Sequence, residues 1–185
     1  MNILIDLLPS SVKINGTEYD INSDFRTSVL FSLLMEDDSL NEEEKVLQAL
    51  NLYYPVVPDN LEEAIEQIKW FYSCGKLDNP IGNKKARASS KKVFDFEVDA
   101  NYIYSAFMSQ YNIDLQDIGQ LHWWKFKALF NGLNSECEFC KIKSYRLYNG
   151  KDKNLLELKE FYKLPPTKIE LEDKIRQEKL YEALK

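Results

Sequence analysis

Apolar positions along this chain recur mostly at three- and four-residue spacing, the mark of helices lying on a core. The densest case is Gly119 to Leu133, GQLHWWKFKALFNGL. Leu121, Trp124, Ala128 and Leu129 fall on one helical stripe, and Trp123, Phe126, Phe130 and Leu133 on a second. A surface helix needs one apolar stripe. A helix apolar over most of its circumference is surrounded by other elements. Only Lys125, Lys127 and Asn131 mark a narrow wet edge. The stretch reads as the central helix of the larger core, with Gly132 near its C-terminal stop.

Upstream, the spacing changes once. Val12 to Ile21 alternates around Asn15-Gly16, a pair suited to a two-residue type I′ turn, so it reads as a β-hairpin. A lone hairpin is marginal in water and must lie on helices or join another sheet edge. Helical spacing then returns. Ser23 or Asp24 can cap a helix through Met35, with Phe25, Val29 and Leu33 on one face. Asn41 can cap the next, with Glu42, Glu43 and Glu44 favourable in its first turn. Val46, Leu47, Leu50 and Tyr54 carry its apolar side and Pro55 stops it. Asp59 or Asn60 caps a third helix through Leu61, Ile65, Ile68, Trp70, Phe71 and Tyr72, closing at Cys74-Gly75.

Gly75 to Lys92 has no periodicity and almost no large apolar residue, and reads as a mobile linker. Beyond it, Asp99 is a plausible cap for a helix from Ala100 to Tyr111 with Tyr104, Phe107, Met108 and Tyr111 on one stripe. Ser135 can cap a helix carrying Cys137, Phe139, Cys140, Ile142 and Tyr145, broken at Asn149-Gly150. Asn154 to Leu164 follows, with Leu155, Leu158 and Tyr162, until Pro165-Pro166. From Lys168 the chain is highly charged, with Ile169, Ile175, Leu180 and Leu184 as thin apolar marks. The expected fold is mainly α with a small N-terminal β-hairpin, as two helical subdomains joined by a basic flexible linker. The boundaries are 1–75 for the acidic subdomain, 76–93 for the linker, 94–165 for the aromatic-rich subdomain and 166–185 for a charged helical tail.

Charge sharpens this division. Residues 1–81 hold 15 acids and 5 bases, net −10, whereas residues 82–94 hold 5 bases and no acid. An acidic front half argues against a general nucleic-acid binder, which needs a basic face to displace counterions. The basic run lacks the interleaved aromatics that stack bases. It reads as a solvated linker able to fold back on the acidic half. The acidic helix starts, Asp37-Asp38, Glu42 to Glu44 and Glu62-Glu63, are either a solvated face or a docking surface for a basic partner. Glu42, Glu43, Glu44, Glu62 and Glu63 are the candidate partner-binding residues. The absence of a basic, apolar leader and of a membrane-length apolar run points to the cytoplasm.

Candidate chemistry is sparse. Cys137-x-x-Cys140 has a metal-like spacing, but structural zinc wants four ligands. Only Cys74 and His122 could complete the set. The pair is expected mid-helix, where cysteine acts as a small apolar residue. Three cysteines without a disulfide framework suit a reducing compartment. His122, the only histidine, sits between Leu121 and Trp123 and is expected to be packed and hydrogen-bonded. No nucleophile elbow, phosphate loop or dinucleotide fingerprint occurs. No catalytic residue, metal or cofactor is expected, and the chain reads as a non-enzyme.

Three segments in order carry a resemblance. They are Phe94 to Phe107 (FDFEVDANYIYSAF) continuing to Tyr111-Asn-Ile-Asp-Leu115, then Leu121 to Phe130 (LHWWKFKALF), then Leu156 to Pro165 (LELKEFYKLP). The first half adds the Asn15-Gly16 hairpin, Asp24-Phe25-Arg26 and Trp70 to Gly75 (WFYSCG). Together they resemble the phage family named for gene product fifteen, found in tail gene clusters of tailed phages and prophages. The resemblance implies a tail assembly chaperone, or a protein acting beside one, that covers the tape measure protein in the bacterial cytoplasm while the tail tube polymerises. It implies no catalytic residue. Residues 1–75 are expected to bind the partner or self-associate; a structural virion role in tail completion or connection and a nucleic-acid role for Lys84 to Lys92 are the alternatives.

Overall fold

A computed structural model describes residues 2–76, 92–166 and Arg176. Among them are one two-stranded antiparallel hairpin and seven α-helices. Strands β1 (Ser11–Ile14) and β2 (Thr17–Asp20) are followed by α1 (Phe25–Glu36), α2 (Glu42–Tyr53) and α3 (Leu61–Tyr72). After residues 77–91 come α4 (Ala100–Tyr111), α5 (Trp123–Asn131), α6 (Glu138–Leu147) and α7 (Lys153–Phe161). The expected mainly helical fold with an N-terminal hairpin is what forms. Most of the expected linker, and the expected helical tail, lie outside the described residues.

The hairpin turns as its sequence requires. Asn15 and Gly16 have φ of 49° and 78°, and the register pairs Val12 with Tyr19 and Ile14 with Thr17. Val12 and Ile14 bury against α3, so the hairpin is stabilised by helix packing rather than by a further strand.

Helix α5 is the hub. Trp123, Trp124, Phe126 and Phe130 are all buried. The Phe126 ring stacks on Phe25 of α1 at 4.8 Å and on Phe107 of α4 at 4.9 Å between centroids. One apolar core thus takes side chains from both halves of the chain, from Val12 to Phe139. Helix α5 is shorter than the expected central helix. Residues 119–122 are extended because their backbone pairs elsewhere: Phe25 N–H donates to Leu121 C=O and Trp123 N–H to Ser23 C=O, both at 2.8 Å. The wet edge also differs. Lys127 is half-buried with Nζ 5.0 Å from the Trp123 ring centroid, while Ala128 is exposed. A lysine stem covers aromatic surface well, and an alanine at the same angle covers little.

The paired tryptophans have a second task. The last four carbonyls of any helix lack intrahelical donors. Here Trp124 Nε1–H donates to Phe71 C=O at 2.8 Å and Trp123 Nε1–H to Tyr72 C=O at 2.9 Å. The two indoles of α5 therefore cap the C-terminus of α3. The chain leaves α3 through Cys74 (φ 58°) and Gly75 (φ 70°). A Cβ at Gly75 would lie 3.0 Å from the Trp124 ring, so glycine permits both the left-handed turn and the close approach.

Several polar residues act as fasteners. Asp24 caps α1 by accepting from Arg26 N–H at 3.0 Å, and its other oxygen accepts from Leu121 N–H at 3.1 Å. Arg26 donates to Leu115 and Ile118 carbonyls at 2.8 and 3.0 Å. Lys45 Nζ donates to Met35 C=O at the end of α1, at 3.0 Å. Asp99 occupies the cap position of α4, but its carboxylate makes no cap bond. It is fully buried and meets the Arg146 guanidinium through two bonds of 2.6 and 2.9 Å. Arg146 also donates to Tyr162 and Val93 carbonyls, so α4, α6 and the end of α7 close around one ion pair.

Other local expectations shift by small amounts. The buried stripe of α4 is Ile103, Ala106 and Phe107, with Tyr104, Met108 and Tyr111 half-buried beside it. Helix α6 starts after Cys137 instead of Ser135, because Asn134 first closes a turn by accepting from Glu136 N–H at 2.9 Å. Asp37 is no helix start but the C-cap of α1, held by Ser39.

Candidate functional site

The five candidate glutamates stand at the heads of α2 and α3, and the structure sorts them into two kinds. Two are spent on the fold. Glu44 closes a capping box with Asn41: its carboxylate accepts from Asn41 N–H at 2.8 Å, and Asn41 Oδ1 accepts from Glu44 N–H at 2.9 Å. Glu63 accepts from Asn15 N–H in the hairpin turn at 2.9 Å and from the Asn60 side chain at 3.2 Å. It pins the hairpin to the head of α3. Glu42, Glu43 and Glu62 are exposed and make no hydrogen bond or ion pair with any described residue.

Between these two helix heads lies an open cleft of about 330 Å³, lined by Glu42, Glu43, Val46, Leu47, Leu50 and Leu61. Its floor is buried Leu50. Its walls are apolar and wet: Leu47 is 61% exposed and Leu61 47%. Helix α2 turns Ala49, Leu50 and Tyr53 to the core and Val46 and Leu47 to the cleft. The sequence carried a sign of this, since Val46, Leu47, Leu50 and Tyr54 form an apolar face wider than one packing contact needs. Which part stays uncovered depends on where α3 sits, which periodicity does not contain.

A second apolar feature is the N-terminal stretch, where Leu4, Ile5 and Leu7 are exposed. Another cleft, of about 340 Å³ at the base of the hairpin, is polar and lined by Ser10, Asp20, Asn22, Asp24, Thr27 and Gln120 among others. Asp24 there is already committed to Arg26 and Leu121.

The other singled-out residues are structural. His122 caps α5: Nδ1 accepts from Trp124 N–H at 3.0 Å, which leaves Nε2–H to donate to Pro9 C=O at 3.0 Å. Burial pushes its pKa below the usual value of 6.5. Cys74, Cys137 and Cys140 are free and half-buried. Cys137 is at the cap of α6 rather than mid-helix, and Cys140 Sγ lies 3.7 Å from Leu133 C=O. No group of three or more His, Cys, Asp or Glu among the described residues is placed to hold a metal. No helix among them is long and apolar enough to cross a membrane. Lys92, the last base of the basic run, pairs with Glu36 at 2.7 Å and Asp95 at 2.5 Å; residues 84–91 lie outside the described residues.

The fold and surface thus define a mainly helical protein with an N-terminal hairpin and an open, acid-edged apolar cleft. The segments that hold it together, Asp24 to Arg26, Trp70 to Gly75 and Leu121 to Phe130, are those that resemble a phage family. The chain belongs to that family: the model of the Bacteriophage Gp15 protein family matches residues 4–168. Membership makes it a phage structural or assembly protein that works with other phage proteins. No curated protein and no solved structure matches the chain.

Proposed function

We propose that this protein is a non-catalytic tail assembly chaperone that covers the tape measure protein in the host cytoplasm while the tail tube forms. The observation that carries this reading is the exposed apolar surface at the heads of α2 and α3, edged by carboxylates with no partner among the described residues. A tape measure protein is long, helical and apolar along one side, and needs cover until the tube encloses it. An acidic coat keeps such a complex soluble by mutual repulsion. Glu42, Glu43 and Glu62 contribute to that contact directly. Glu44 and Glu63 contribute by holding the two helix heads and the hairpin in place.

The test is co-expression with the tape measure protein of the same gene cluster, followed by size exclusion with light scattering. Many copies of this chain on one tape measure chain support the reading. A chain that stays separate and is found in purified particles makes it a structural tail component instead.

A further inference from the structure

The cleft between the heads of α2 and α3 has a specific chemistry. Its lining side chains are Val46, Leu47, Leu50 and Leu61 in the middle, with Glu42 and Glu43 at one margin. Glu62 follows Leu61 on the same helix head and is equally exposed. Every polar side-chain atom in this set is a carboxylate oxygen, which accepts hydrogen bonds and donates none. The complementary surface is therefore apolar at its centre and carries cationic donors at its edge.

The walls decide the backbone of the occupant. Both are helices and present no strand edge, so they offer no ladder to an extended strand. A strand laid there would leave its own N–H and C=O groups without partners. A helix arrives with its backbone satisfied and can set apolar side chains at i, i+3, i+4 and i+7 into such a groove. A second copy docking through its own residues 1–81 is a poor occupant, because that part carries net −10 from 15 acids and 5 bases and would bring like charge to an acidic margin.

We infer that the α2–α3 cleft binds the apolar stripe of an amphipathic helix whose flanks carry lysine or arginine. Glu42, Glu43 and Glu62 read those flanks, and Leu47 and Leu61 hold the stripe. This names the kind of segment bound at the surface on which the chaperone reading rests. The division of labour follows from the geometry. Exposed carboxylates at a margin set the rate of encounter and its salt dependence, whereas the apolar centre sets the lifetime of the complex.

The experiment uses the full chain and a synthetic helical peptide of about 18 residues. Its apolar stripe is leucine and its flanks are lysine; a twin carries glutamate flanks. Binding is followed by fluorescence anisotropy and stopped flow. The lysine peptide is expected to bind at least about tenfold more tightly than the twin. Leu47→Gln with Leu61→Gln is expected to weaken it by about tenfold or more, mainly through faster dissociation. Glu42→Gln with Glu43→Gln and Glu62→Gln is expected to slow association by several-fold and flatten its salt dependence. Leu47 is 61% and Leu61 47% exposed, so these variants keep the fold, and circular dichroism checks this.

Equal binding of the two peptides, or binding unmoved by the leucine changes, overturns the inference. So does concentration-dependent self-association of the chain that the leucine changes abolish, since the occupant is then a second copy. Failure of the chaperone reading looks different: the lysine peptide binds at the cleft, but co-expressed tape measure protein forms no complex.

Discussion

The two ends of α3 are opposite in character. At the C-terminal end, the Phe71 and Tyr72 carbonyls are capped by two indoles from the far half of the chain, and Gly75 turns away under Trp124. At the N-terminal end, Leu61 is half-exposed beside an open cleft, and Glu62 has no described partner. The closed end collects Trp70 to Gly75 and Leu121 to Phe130, two of the segments that carry the family resemblance. They build the joint between α3 and α5. The open end collects carboxylates that have no cation partner among the described residues.

The closed side is where substitutions should cost most. Asp99→Ala leaves the buried Arg146 charge unpaired and is expected to cost about 3–5 kcal/mol, read from urea unfolding. Replacing both partners, Asp99→Leu with Arg146→Met, should recover much of that loss. If the single change costs no more than a surface one, the ion pair is not part of the closed core. Trp124→Phe and Trp123→Phe keep an aromatic ring but lose the donor to an α3 carbonyl together with part of the buried ring surface. Trp123→Phe is expected to cost about 1–3 kcal/mol, because Tyr72 C=O loses its donor; losing the Trp124 donor should cost less, because Phe71 C=O still accepts from Cys74 N–H at 3.0 Å.

A smaller effect depends on pH. His122 is neutral in the folded chain and burial lowers its pKa below 6.5, so the unfolded chain binds a proton that the native state refuses. Stability from this group is complete above the unfolded pKa and is lost as pH falls below it. His122→Asn keeps a cap acceptor without the titration. The difference in urea midpoint between about pH 7.5 and pH 5.5 should shrink in the variant relative to the parent; an unchanged difference assigns the pH dependence to other groups. The smallest pair of effects compares adjacent glutamates. Glu44→Ala breaks the capping box and is expected to cost about 0.5–1.5 kcal/mol. Glu42→Gln should stay within about 0.5 kcal/mol. Equal costs would mean that the two glutamates are not of different kinds.

What could be read from the sequence was local. Asn15-Gly16 specified its turn, and Asn41 and Asn60 capped their helices, because those effects act within a few residues. What could not be read was set by distant pairing. Leu121 matches a helical stripe, yet its backbone and that of Trp123 pair with residues 23–25 and the helix begins only at Trp123. Asp99 has the chemistry of a cap and serves Arg146 instead, a partner 47 positions away. Lys127 looks like a wet residue until Trp123 and Tyr72 are placed beneath it. The five glutamates could be named as a group, but their division needed the positions of Asn15, Asn41 and the cleft.

The indole caps also make the molecule its own optical gauge. The chain has three tryptophans: Trp70 lies on α3 with its ring centroid 5.5 Å from that of Trp124, and Trp123 and Trp124 lie on α5. All three stand at the seam between the two halves of the sequence. Intrinsic emission therefore reports on that seam, while far-ultraviolet dichroism reports on the helices throughout. If the seam parts before the helices melt, the two unfolding curves separate; if the halves hold each other up, the curves superimpose.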